Sequence, residues 1–244
     1  MACTRILAVL AATLALAGCY ETASDVPAIS DARRLAESPI TPGIWCSADV
    51  AFDNADAVAG IKLQDCFTAR FEAGLLTVEQ LHGDASGRKE EPIVFALAAL
   101  NRGATLLQAR TEVDRHYEIY VAATREDGIA VLPELKLTPG IIADALALGI
   151  TIKRDANADR EAAKRDLRIL AGEPDAVLKL IEHAVGLRFD QGVRDRALWK
   201  ELMTESIFFL RLDADPKQVP PDPAALTARL ERLRSAIRHA MTLE

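Results

Sequence analysis

Aromatic residues are scarce in this chain, at 5% of 244 positions. Glycine and proline number only 13 and 11, and there are four histidines and four cysteines. The low Gly and Pro content excludes a fibrous or low-complexity polymer. The few cysteines and histidines leave little material for a metal-rich or disulfide-dense scaffold. Basic residues are outnumbered, 29 Lys and Arg against 36 Asp and Glu, so nucleic acid is not expected as the main partner. No apolar run is long enough to span a bilayer as a helix, which needs about 20 residues. What is abundant is aliphatic: half of the residues are hydrophobic, and the mean hydropathy is +0.08. Such a chain buries one sizeable core or two small ones.

That hydrophobicity is concentrated at the amino terminus. Arg5 is the only charge before Glu21, and Ile6–Ala17 is apolar except for Thr13. As a helix this run would cover about 18 Å, well short of a bilayer and suited to the core of a signal peptide. Without residues 1–18 the mean hydropathy falls to about −0.06, and loss of Arg5 makes the chain one unit more acidic. The remaining body reads as an ordinary acidic soluble protein.

Leu16-Ala17-Gly18-Cys19 ends the run. It resembles the lipobox of bacterial lipoproteins. The resemblance implies cleavage between Gly18 and Cys19, a diacylglycerol on the Cys19 sulfur and acylation of the new amino terminus. Two or three acyl chains anchor a protein stably, whereas one does so marginally. The alternative is an uncleaved helix or an ordinary secretion signal. In the same family an Asp after the cysteine retains the product in the inner membrane. Tyr20 stands there instead, which implies the periplasmic face of an outer membrane. The expected partners are the membrane, through lipidated Cys19, and an envelope protein.

Cys3 would leave with the signal peptide and Cys19 would carry lipid, so Cys46 and Cys66 remain. In an oxidising compartment an even pair reads as a disulfide. It would close a loop of about 21 residues, worth roughly 3 kcal/mol. A metal or redox pair is the alternative, without CxxC spacing or a neighbouring histidine to support it.

The fold class expected is α+β: an antiparallel β-meander, as a sandwich or partial barrel, followed by a helical region. Residues 19–42 read as a lipidated terminus and tether, 43–135 as the β-rich module and 136–244 as the mainly helical one. Strands are expected near 45–52, 66–71, 75–81, 93–98, 104–111, 117–124 and 129–132, separated by turn signals such as Glu72-Ala73-Gly74 and Glu126-Asp127-Gly128. Ile150–Ile152 adds a short strand. Helices are expected at 141–148, 159–170, from Pro174 to Gly186, at 194–210 and at 224–241. In the last, Leu226, Leu230, Leu233, Ile237 and Met241 form a stripe bordered by Arg229, Arg232, Arg234 and Arg238. Such a helix either docks on its own domain or lies on an acidic surface.

The chemistry-bearing motifs are weak. No GxSxG, HExxH, P-loop or GxGxxG pattern occurs. Asp155, Asn157, Asp159 and Asp166 have part of a calcium-loop spacing, but Arg160 stands where glycine is needed, and a capped helix start explains them equally. Ser86 lies in a polar loop without a base at a diagnostic spacing. Neither a cofactor nor a metal is expected.

Gly43-Ile44-Trp45 is similar to the Gly-x-Trp that opens the first strand of lipocalins, which implies an apolar ligand held in a barrel. Its lining would come from Trp45, Phe67, Phe71, Tyr117, Ile119 and Val121. Alternatively Trp45 is simply a core residue beside the cysteine pair. Three functions therefore stand open: a membrane-anchored interaction or scaffold module, a small-molecule or lipid carrier, and a hydrolase whose site joins separate segments.

Overall fold

A computed structural model describes residues 22–53, 57–83, 90–110, 116–132, 137–154 and 168–242. Its strands are β1 (Thr22–Ser24), β2 (Gly43–Phe52), β3 (Val58–Glu72), β4 (Leu75–Gln80), β5 (Ile93–Ala99), β6 (Ala104–Arg110), β7 (Tyr117–Arg125), β8 (Gly128–Leu132), β9 (Thr151–Arg154), β10 (Arg168–Ala171) and β11 (Ile207–Leu212). Its helices are α1 (Pro139–Ala147), α2 (Pro174–Arg194), α3 (Arg196–Glu205) and α4 (Pro223–Thr242).

The mixed α+β character is as expected, but the sheet is neither a sandwich nor a partial barrel. Strands β2 to β8 pair each with the next, and β11 then pairs with both β8 and β2. Eight strands thus form a closed antiparallel ring. The last of them comes from the module expected to be mainly helical. There the expected helix over 194–210 stops at Glu205, and Ile207–Leu212 continues as a strand. The run Ile207-Phe208-Phe209-Leu210 suits either period. Pairing on two sides decides it, with Phe209 opposite Ser47 and Ile129.

A second correction concerns residues 22–42. From Thr22 onward they are built into the fold and are not a tether. β1 pairs with β7 and β10, and Ala23, Ser24, Ala28, Ile29 and Ile40 are all buried. The segment carries few large side chains and no period, so its burial left no signature in the sequence. β1, β10 and β9 form a small annex to the ring beside the start of β7. In the helix expected over 159–170, residues 159–167 lie outside the described residues, and Arg168–Leu170 are in β10. α2 runs through Gly186 to Arg194, because a glycine inside a well-packed helix costs only about 1 kcal/mol.

Period-two alternation sorts the strand side chains into two clusters. One fills the inside of the ring, with Trp45, Ala69, Leu76, Phe95, Leu97, Leu107, Ala122, Val131 and Phe209 among its members. The other lies between the outside of the ring and the helices. There Ala130, Leu132, Phe208 and Leu210 meet Val177, Ile181, Leu202, Leu230 and Leu233. The arginine-bordered stripe of α4 is thus buried on its own domain, as Leu226, Leu230, Leu233 and Ile237 show. Its arginines dock as well: Arg234 lies over the Phe52 ring and Arg238 over Trp199. Met241 lies outside the described side chains.

Candidate functional site

Strict alternation of strand direction puts successive connections at opposite ends of the ring. At one end they occupy only residues 73–74, 100–103 and 126–127. Ala73 and Gly74 have φ of 51° and 79°, the left-handed pair that a two-residue hairpin requires. At the other end the connections are residues 53–57, 81–92, 111–116 and the long excursion from 133 to 206. Long connections held by a rigid scaffold are where binding usually resides.

The short-turn end is sealed by the chain entering β2. Leu35 N–H donates to the Leu97 carbonyl, and the Trp45 indole N–H donates to Thr41 O at 3.0 Å. Leu35 and Ile40 join the inner cluster. Arg34 crosses so close that a Cβ on Gly74 would lie 2.9 Å from its Cδ. Arg211 of β11, opposite Trp45, likewise lies across Gly43.

Inside the ring, Trp45, Phe67 and Phe71 belong to one cluster. Ile119 and Val121 do not join them: they lie in the outer cluster, against the helices. Tyr117 shares their side of β7 and takes the Arg110 guanidinium over its ring at 6.0 Å. The six expected lining residues therefore divide between the two sides of the wall. The wholly apolar face of β7, Tyr117, Ile119, Val121 and Ala123, is the one covered by the helices, and the mixed face with Glu118 and Thr124 turns inward, the reverse of what alternation suggests. The inward residues are Tyr120 and Ala122, which the sequence reading missed.

Two edge-to-face aromatic pairs line the interior, Phe67 with Phe209 at 5.5 Å and Phe95 with Tyr120 at 6.2 Å. A few polar groups interrupt the lining. Tyr120 O–H donates to Glu118, and Thr105 and Thr124 hydroxyls are 3.4 Å apart. Gln80, opposite Phe67 and in phase with inward Leu76 and Val78, has an Oε1 shielded from solvent without a hydrogen-bond partner. The interior is an apolar cluster of buried side chains with a small number of fixed polar atoms among them.

The cysteine pair is joined. Cys46 and Cys66 face each other across β2 and β3 with Cα atoms 4.0 Å apart. Cys46 is fully buried in the outer cluster. Gly18 and Cys19 lie outside the described residues, as do Ser86 and the stretch from Asp155 to Asp166.

Charged groups outside the ring have structural employment. Between the turn at 126–127, the end of β11 and α4 lies a cleft of about 300 Å³. In it Arg229 pairs with Asp213 at 3.0 Å, and Arg232 pairs with Asp127, tying α4 to the ring. His82 pairs with Asp215 and His183 with Asp144, both at 3.2 Å. Neither imidazole has a hydroxyl partner, so neither begins a nucleophile–base relay among the described residues. The Lys217 backbone N–H holds the Asp215 carboxyl below its ordinary range, with His82 adding to the effect. Among the described residues no group of three His, Cys, Asp or Glu side chains is placed to hold a metal ion, and no helix is long and apolar enough to cross a membrane.

No family model, curated protein or solved structure matches this chain.

Proposed function

We propose that this chain is a lipid-anchored protein of a bacterial envelope, facing the periplasm, whose closed barrel takes up an apolar ligand from its long-loop end. One observation carries the binding reading. All eight strands of the ring turn predominantly aliphatic and aromatic side chains toward a single interior sealed at the opposite end. The Gly43-x-Trp45 opening of β2 supports the same reading, since it stands where a lipocalin-like barrel begins. The anchor rests on Leu16-Ala17-Gly18-Cys19 and on the joined cysteine pair, which suits an oxidising compartment.

The polar atoms near Phe67 and Tyr120 would orient the ligand's one hydrophilic end, and the aromatic pairs would hold its chain. A fatty acid or similar single-chain amphiphile fits this division. The test is native mass spectrometry of the protein purified from its own envelope, with displacement of an environment-sensitive fatty-acid probe in solution. A bound amphiphile, and probe binding reduced by Ala122→Trp in a variant of unchanged melting temperature, are expected. An empty protein that binds no probe would reject the carrier. The remaining reading, an interaction or scaffold module, is favoured by the mutual contacts of the four inner aromatic rings, which occupy interior volume themselves.

A further inference from the structure

Seven large hydrophobic residues stand exposed on the described chain: Val94, Ile142, Leu146, Leu148, Leu187, Leu198 and Val219. Four stand on separate segments, as single exposed aliphatics do on any protein surface. The other three, Ile142, Leu146 and Leu148, lie on α1 and at its carboxyl end. Leu146 is 66% exposed, the highest value of the seven. Between them Ala143 and Ala147 are also exposed. The opposite side of α1 is committed: Ile141 and Ala145 are buried in the outer cluster. Asp144 is the only charged side chain on the helix and pairs with His183. α1 therefore turns a nearly uncharged apolar face outward, unlike α2, α3 and α4, whose exposed sides are charged.

Where this face sits gives it meaning. The lipid-bearing residue proposed above is three positions before Thr22, a separation the chain can span over at most about 11 Å. Thr22 pairs with Arg168, which pairs with Arg154. Two strand spacings, about 10 Å, thus separate the anchor's exit from β9. α1 packs against β9 and leads through Leu148-Gly149-Ile150 into its Thr151 end, three residues, about 10 Å, along the strand from Arg154. With residues 22–42 folded into the body, no long tether intervenes between anchor and barrel. The anchor would thus leave the body from the annex of β1, β10 and β9, whose last strand α1 adjoins.

We infer that the outward face of α1 seats in the interface of the bilayer that carries the Cys19 lipid, so that the body lies on the membrane in a fixed orientation. The inference rests on the anchor reading. A protein partner fits the patch less well. Three partly exposed aliphatic side chains supply a small part of the roughly 800 Å² per partner that a stable interface buries. An interfacial helix needs only a modest apolar strip with few charges, and its shallow insertion adds to the acyl chains.

The experiment uses the full-length protein processed in its own host. Mass spectrometry of the mature amino terminus reads the lipid on Cys19. Leu146→Cys and Val219→Cys each supply one labelling site on a background where Cys46 and Cys66 are joined. Both are labelled with an environment-sensitive fluorophore and reconstituted into vesicles of phosphatidylethanolamine and phosphatidylglycerol doped with nitroxide lipid. Quenching and a blue shift at position 146, with neither at 219, are expected. A lipidated protein with no quenching at 146 overturns the inference and leaves the anchor standing. A mature protein without lipid on Cys19 overturns the anchor and the inference with it. Protection of position 146 in native envelopes but not in pure lipid vesicles assigns the face to a protein partner, which also overturns the inference.

Discussion

Ile40→Ala distinguishes a folded entrance segment from a tether. In a tether the substitution would leave stability unchanged within about 0.5 kcal/mol. In the structure Ile40 is 1% exposed and sits among the inner side chains at the sealed end of the ring. The change removes three carbons. At about 0.8 kcal/mol per buried methylene the transfer loss is roughly 2.4 kcal/mol. A remaining cavity adds to this, and buried Ile to Ala changes cost about 2–5 kcal/mol in total. About 3 kcal/mol is the expected value, since Leu35 and the Trp45 region can close in only partly. For a body of this size that lowers Tm by roughly 6–12 °C. Equilibrium urea unfolding with the disulfide intact measures the difference, and Val219→Ala, at an exposed position on the connector before α4, serves as the control. An Ile40→Ala variant indistinguishable from that control would refute the packing of residues 35–42 against the barrel.

Three further outcomes are expected. Replacing both Cys46 and Cys66 with Ala should lower stability by about 3 kcal/mol in the chain-entropy model, and the mature wild-type chain should take up no thiol label without reductant. Leu230→Ala on α4, at a fully buried position, should cost about 2–5 kcal/mol by chemical denaturation, whereas a helix lying on a foreign surface would lose almost nothing. The Asp215 carboxyl should titrate below the ordinary 3.8 of an aspartate when followed by NMR, with its midpoint rising in His82→Ala. Because its folded-state value is lowered, the stabilisation it brings is complete above the unfolded value and fades as pH falls through the folded one.

Much of the wall of the barrel was legible because its strands alternate between tight turns. The expected strands at 75–81, 93–98 and 104–111 fall on β4, β5 and β6 almost residue for residue. The stripe of α4 was equally plain, since leucines at helical spacing beside arginines leave one side to bury. The cysteine pair needed only compartment logic. Legibility failed where long-range pairing chose between local options. Ile207–Leu210 satisfies both periods, and only the gap between β8 and β2 makes it a strand. Residues 22–42 are held by scattered small side chains and by single hydrogen bonds such as Ile29 N–H to Gln108 Oε1, none of which repeats. The lining of the interior was half legible. Phe67 and Phe71 alternate with polar neighbours and so declare their side, whereas on β7 the more apolar face is buried outward under the helices and the face with Glu118 and Thr124 turns in.

The placement of β11 has a consequence for how the molecule forms. During synthesis the strands from β2 to β8 can zip together in order, each hairpin closing a short loop. Until residues 207–212 arrive, that sheet is left with two open edges, on β2 and on β8. Unpaired edges of a hydrophobic sheet are templates for aggregation. Bringing the final strand back across the excursion from 133 to 206 is also a long-range closure, the kind of step that slows folding. Any seven-strand species would expose both edges until α2 and α3 pack and deliver the eighth strand.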